Sequence, residues 1–271
     1  MIIDSHTHIY EPEFDPDLDL VVARAQDAGV CHCVLPNIDD DSLGRLLDVQ
    51  KRFPQFCSIA IGLHPTSVDD RWLERLEVLR LALDQNPVVA IGEVGMDLYW
   101  DRTYLKQQRL ALEAQIAWAL ERDLPLILHT REAVMETIEC LRRADPAGHS
   151  RGVFHSFTGS RSDLEAILAL PNYFVGINGV LTFKNSALPD LLHMVPTDRL
   201  LVETDAPYLS PVPKRGQRNE PSYCTYVLAR LADLLGLNIK DLGEIVYANT
   251  CRLFGLELGI FSEKGSEMER K

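Results

Sequence analysis

Nothing in this chain of 271 residues approaches the ~20 consecutive apolar residues that a membrane-spanning helix needs. Its amino terminus, Met-Ile-Ile-Asp-Ser-His, lacks the cationic stretch and the apolar segment of a secretory signal. The six cysteines, at 31, 33, 57, 140, 224 and 251, lack the dense spacing of a disulfide scaffold and read as unpaired thiols. These absences lead to the expectation of a cytoplasmic protein with no membrane partner. Cations are scarce too, with 27 Lys and Arg against 40 Asp and Glu and a net charge of −13. That balance argues against sequence-independent coating of nucleic acid, which rests on many contacts from Lys and Arg to phosphate. It leaves room for a local cationic pocket, because bound divalent cations can outweigh the few carboxylates that hold them. No linker or internal repeat divides the chain, and nothing in it calls for an obligate protein partner. We expect one domain over 1–261 and a charged, disordered tail over 262–271.

What is present is a rhythm of short apolar runs and amphipathic stretches. Strands are expected around 2–4, 31–36, 57–63, 88–93, 125–129, 152–156, 173–178 and 200–204, most of them rich in Val, Ile, Leu and Phe without polar alternation. Between them Leu and Ala recur at three- and four-residue spacing, most clearly over 70–85 and 103–122. Strand and helix repeated eight times predicts an α/β fold, a closed (β/α)8 TIM barrel, with an open doubly wound sheet as the alternative. After the eighth strand, 207–220 reads as a long loop over the barrel mouth. A long helix over 221–235 and two shorter ones near 240–247 and 248–254 follow.

Four histidines and two carboxylates fall at or just past the ends of these strands. His6 and His8 follow Ile-Ile-Asp, Glu93 follows Val-Val-Ala-Ile-Gly, and His129 and His155 close strands five and six. Asp205 follows Leu-Leu-Val-Glu-Thr on strand eight. In a parallel barrel all six converge at one end, where imidazole and carboxylate together make the ligand set of a divalent cation. His6 and His8, two apart, project to one face. Glu93 sits between Gly92 and Gly95, which permit close approach of neighbours. Asp205 lies beside strand one and could bind metal, accept a proton, or do both. Glu203 points the same way and reads as a supporting hydrogen-bond acceptor, with a third-cation role as the alternative.

Other features carry less. Cys31-His32-Cys33 lacks a second cysteine pair and reads as buried thiols, and His149 and His193 need no function. Arg131, Lys184, Arg215 and Arg218 lie on expected mouth loops, where they could grip phosphate, and Tyr99, Trp100 and Tyr208 could stack on a base.

Beyond these residues, the chain resembles the TatD family of metal-dependent deoxyribonucleases, in the amidohydrolase superfamily. The likeness runs from Met1 to about Gly255 through Asp-Ser-His-Thr-His, Gly-Leu-His-Pro at 62–65, Ile-Gly-Glu-Val-Gly-Met-Asp at 91–97 and His-Thr-Arg at 129–131. It continues in His-Ser-Phe-Thr-Gly at 155–159, Glu-Thr-Asp-Ala-Pro-Tyr-Leu at 203–209, Arg-Gly-Gln-Arg-Asn-Glu-Pro at 215–221 and Asn-Thr-Cys-Arg-Leu-Phe at 249–254. The resemblance implies two divalent cations, one held by His6, His8, Glu93 and Asp205 and the other by Glu93, His129 and His155. It also implies hydrolysis of DNA, or of RNA, from the 3′ end. Asp205 is then the expected general base, and His64 a phosphate contact or proton relay. Four imidazoles suit zinc, while phosphate chemistry also admits magnesium or manganese. Two other readings are an amidohydrolase of amides, lactones or phosphotriesters and a non-catalytic metal or nucleic-acid binding protein. Many binuclear amidohydrolases bridge their metals with a modified lysine at strand four, and Glu93 in that place favours the TatD-like reading.

Overall fold

The computed structural model describes residues 1–258; the expected tail over 262–271 and the end of the expected domain lie outside them. Eight strands run β1 (Ile2–Asp4), β2 (Val30–Pro36), β3 (Cys57–Ile61), β4 (Ala90–Asp97), β5 (Leu126–Arg131), β6 (Gly152–Phe154), β7 (Tyr173–Ile177) and β8 (Leu200–Val202). All neighbouring pairs are parallel and the sheet order is the sequence order. The remaining seam carries backbone bonds from Ser5 N to Val202 O (3.2 Å) and from Asp205 N to His6 O (2.9 Å), so the sheet curls round on itself. The α/β barrel is therefore as the sequence predicts.

Six helices, α1 (Leu18–Asp27), α2 (Leu43–Arg52), α3 (Trp72–Gln85), α4 (Leu105–Arg122), α5 (Val134–Ala144) and α6 (Arg161–Leu168), follow strands one to six; α7 (Leu188–Leu191), α8 (Cys224–Leu235) and α9 (Ile239–Phe254) complete the described chain. The sequence dictates several of these ends. Ser160 and Asp163 form a reciprocal capping box at the start of α6, Asn238 caps α9, and Gly236 and Gly255 end α8 and α9 in the left-handed region. No helix among the described residues is long and apolar enough to cross a membrane.

Strands buried on both faces explain the apolar runs. Inside the barrel, Val34, Ala60, Ala90, Ile127, Val153, Phe174 and Leu201 supply one residue from each of β2 to β8. Leu253 and Phe254 of α9 pack onto that layer, so apolar side chains fill this part of the interior. A larger apolar cluster lies between strands and helices, and polar groups remain for the other end.

Two boundaries differ from expectation. The segments near 240–247 and 248–254 form one continuous helix, α9, because Asn249, a residue that favours helix ends, is held in the interior by its partners. Its Nδ2 donates to Thr197 O (2.8 Å) and Leu200 O (2.9 Å) at the entrance to β8. The fourth strand runs on to Asp97, so Glu93 lies within it. β5 pairs with it through Met96 and Asp97.

Asn249 thus joins the last helix to the last strand. Asn249→Ala should cost about 2 kcal/mol of stability by leaving two carbonyls without their donor. Asn249→Asp should cost more, since it turns acceptor towards acceptor. Urea unfolding monitored by circular dichroism would measure both, and a midpoint unchanged in both variants would show that the amide is not a tie.

Candidate metal centre

β4 places the central carboxylate. Its register with β5 shifts between Ile91 and Val94, a bulge that re-aims Glu93. Glycines flank that point for a measurable reason. A Cβ on Gly92 would lie 2.6 Å from Ile127 Cβ, and one on Gly95, whose φ is +143°, would lie 2.0 Å from His129 O. Only a strand bare at both places lets β5 approach closely enough to bring His129 to Glu93.

The two oxygens of Glu93 face different partners. Oε2 lies 3.1 Å from His6 Nε2 and 3.6 Å from His8 Nε2. Oε1 lies 2.7 Å from His155 Nε2, 2.9 Å from His129 Nδ1 and 3.3 Å from His64 Nε2. Asp205, at the seam with a left-handed φ of +60°, turns Oδ1 to within 3.6 Å of His6 Nε2 and 3.5 Å of His8 Nε2. All six expected metal ligands therefore meet in one cluster. His64 adjoins it.

This donor set fits cations. His6 Nε2 and His8 Nε2 stand 3.0 Å apart, and lie 3.1 and 3.6 Å from Glu93 Oε2 and 3.6 and 3.5 Å from Asp205 Oδ1. Tetrahedral ligands at bonds of ~2.0–2.1 Å stand roughly 3.3 Å apart. The tautomers agree as well. Tyr10 donates its hydroxyl to Pro36 O (2.7 Å), so it can only accept from His8 Nδ1 (2.9 Å), which leaves His8 Nε2 a free lone pair. At His129 the roles are mirrored, with Nε2 donating to Asp97 Oδ2 (3.0 Å), so that Nδ1, which meets Glu93 Oε1 at 2.9 Å, is the nitrogen a cation would take once its proton is lost. His155 turns Nδ1 towards Glu203 Oε1 at 3.5 Å, too poorly aligned for a hydrogen bond, and its ring stacks on His6 at 3.8 Å.

Charge coupling is strong here. Burial alone would raise the pKa of Glu93, but the charges of His155, His64 and His6 and the bond from His129 hold it well below the usual carboxylate range. Burial likewise opposes ionisation of Asp205, and the imidazoles of His8, His6 and His155 close to it outweigh that. His155 is pushed down by burial and, more strongly, up by Glu93 and Glu203, so it ends well above its ordinary value. His129 is raised in the same way by Asp97 and Glu93, whereas burial and His155 hold His6 low.

The remaining expected residues disperse. Arg131 lines the cavity over the cluster, a space of about 670 Å³ that also exposes Trp100, Tyr208 and His64. Lys184 is exposed and outside that lining; Arg215 stacks on Phe183 at 3.9 Å and donates to Ser210 O. Arg218 is turned away, bound to Asp17 and to Glu13 O. Glu203 is fully buried and accepts from Ser156 N (2.5 Å), an orienting position beside His155. Of the Cys31-His32-Cys33 run, Cys33 and His32 are buried but Cys31 is only half-buried, donating to Ile2 O, while His32 meets Ser58 Oγ at 2.8 Å.

Three residues escaped sequence reasoning. Asp97 and Tyr10 orient His129 and His8, and Asp4 accepts from Thr204 N (2.9 Å), Thr204 Oγ1 (2.5 Å) and His6 N (3.3 Å), tying strand one to the Asp205 turn. Burial pushes the Asp4 carboxyl up to about 8 against those donors. For Asp97 a signal existed, since 93, 95 and 97 share a strand face.

Comparison with known proteins agrees with this site. Residues 3–255 match the family described as TatD related DNase. The chain belongs to that family. It is accordingly a metal-dependent hydrolase acting on ester bonds. Among its relatives are the Bacillus subtilis protein named "Uncharacterized metal-dependent hydrolase YabD", 35% identical over 94% of this chain and 99% of that one. The Erwinia tasmaniensis protein named "3'-5' ssDNA/RNA exonuclease TatD" is 33% identical over 94% of this chain and all of its own length (100%). The crystal structure of the TatD homologue YjjV from Escherichia coli superposes with a TM-score of 0.86 at 32% identity, covering 94% and 98% of the two chains.

The charge coupling has a measurable consequence. His129 and His155, with pKa values raised in the cation-free protein, hold protons that an entering cation must expel. Loading at pH 7 should release protons, and affinity should fall as pH is lowered. Calorimetric titration in two buffers of different ionisation enthalpy would measure this; identical heats would mean that both imidazoles are already neutral.

Proposed function

We propose that this TatD-family hydrolase is a nuclease that removes nucleotides from the 3′ end of single-stranded DNA, with RNA as a second substrate, using two divalent cations. The observation that carries the reading is the division of Glu93, with Oε2 facing His6 and His8 and Oε1 facing His129 and His155. His6, His8, Glu93 and Asp205 would hold one cation, and Glu93, His129 and His155 the other. Bound there, the pair would acidify water and neutralise charge developing on the phosphoryl oxygens. Several relatives carry the name "3'-5' ssDNA/RNA exonuclease TatD", which supports both the substrate and the direction.

The chain's own groups supply the rest. Asp205 is ionised at neutral pH and lines the cavity, so its carboxylate takes the proton that water loses on attacking phosphorus. His64 Nδ1 accepts from Thr66 N (3.2 Å), which leaves its neutral ring a proton on Nε2. Burial, against the pull of Glu93, holds the pKa of that ring below its usual value. Nε2–H faces Glu93 Oε1 at 3.3 Å and, with that oxygen engaged by a cation, would be left to donate to a phosphoryl oxygen.

A 5′-labelled single strand should shorten progressively, more slowly when its 3′ end carries a phosphate, and not at all in chelator. Early internal cuts, or equal rates on a circular strand, would instead identify an endonuclease.

Asp205→Asn keeps the shape and one oxygen ligand but accepts no proton at neutral pH. Single-turnover cleavage at saturating cation should fall at least hundredfold, about 2.7 kcal/mol of barrier, while thermal unfolding stays near wild type and elemental analysis still finds bound metal. A loss of less than tenfold would remove Asp205 from the role of base.

A further inference from the structure

The loop after β4 carries a feature that the cation cluster does not use. Tyr99 and Trp100 project from it with 51% and 68% of their surface exposed, at the rim of the cavity. The Arg131 guanidinium lies 3.9 Å from the centre of the Tyr99 ring and 5.0 Å from that of Trp100. It has no ion-pair partner among the described residues, and it is the one Lys or Arg lining the cavity. In a chain with thirteen excess negative charges, a cation without a carboxylate partner beside the reaction centre calls for an anion.

The loop is also held in place. Asp97 Oδ1 accepts from Tyr99 N (2.9 Å) and Trp100 N (3.2 Å), while Oδ2 of the same carboxylate takes the His129 bond. One side chain therefore fixes the aromatic pair relative to the imidazole that faces Glu93. Such a link makes the loop a defined extension of the site.

We propose that Trp100 and Arg131 form a nucleotide subsite, with an unpaired base stacked on the exposed indole and the adjoining phosphate on the guanidinium. This rests on the nuclease reading above and adds where the strand runs, from the cation cluster outwards across the β4–α4 loop. Stacking needs a base free of a partner, so the subsite selects single strands. A guanidinium already seated on an aromatic face presents its edge N–H groups to a phosphate with little further ordering.

The test is a cycle between ring and base. Binding of a fluorescein-labelled hexanucleotide is measured by anisotropy in chelator, where hydrolysis cannot intrude, and again with each nucleotide in turn made abasic. Trp100→Ala should weaken binding of the intact strand about tenfold, and Trp100→Phe should restore most of it. At one position the abasic change should weaken wild type about tenfold and the alanine variant hardly at all. Arg131→Met, which keeps the packing stem, should reduce the slope of log K against log salt by about 0.7, the value for one phosphate contact on a single strand. Additive effects at every position, or an unchanged affinity in Trp100→Ala, would overturn the subsite even if the loaded enzyme cuts DNA. A coupled position on a strand that the loaded enzyme never cuts would uphold the subsite and sink the nuclease reading. No binding of any oligonucleotide, in chelator or with cations restored, would overturn both.

Discussion

One buried carboxylate governs this molecule. Glu93 is almost completely shielded from solvent and faced by five imidazoles, and a negative charge in that position is tolerable only with positive charge on both of its oxygens. Protonated histidines meet the need without cations, and divalent ions meet it more fully. The bulge in β4, the bare glycines beside it and the close approach of β5 all serve to put that carboxylate on the barrel axis.

Beside the cluster stand groups that settle which nitrogen of two of its histidines is available. Tyr10 does this for His8 and Asp97 for His129, with Glu203 beside His155. Tyr10 follows β1 as His8 does, whereas Asp97 stands on β4 beside His129 on β5, and Glu203 follows β8. Orientation is therefore inherited from the barrel, and a rotation of one ring would break a hydrogen bond to a strand.

The barrel was legible because each strand is an apolar run whose burial on both faces is written in its composition, and the six clustered residues were legible because polar residues at such ends have few other reasons to be there. What escaped depends on contacts between distant segments. Asn249 looks like a helix break until its amide is seen to hold Thr197 and Leu200. The last turns of β4 were hidden by Gly92 and Gly95, which weaken any strand signal, and with them went Asp97. Arg218 resembles a mouth cation in the sequence, yet Asp17 at the start of α1 draws it elsewhere. Loop cations take their direction from partners that no local pattern names.

The seam between β8 and β1 joins groups far apart in sequence, with Asp4 and Thr204 separated by 200 positions. During synthesis His6 and His8 emerge first, and Asp205 reaches them only after the intervening seven strands have left the ribosome. Until then the open barrel lacks one wall of its reaction centre. A hydrolase of this build gains its chemistry last, when the seam closes.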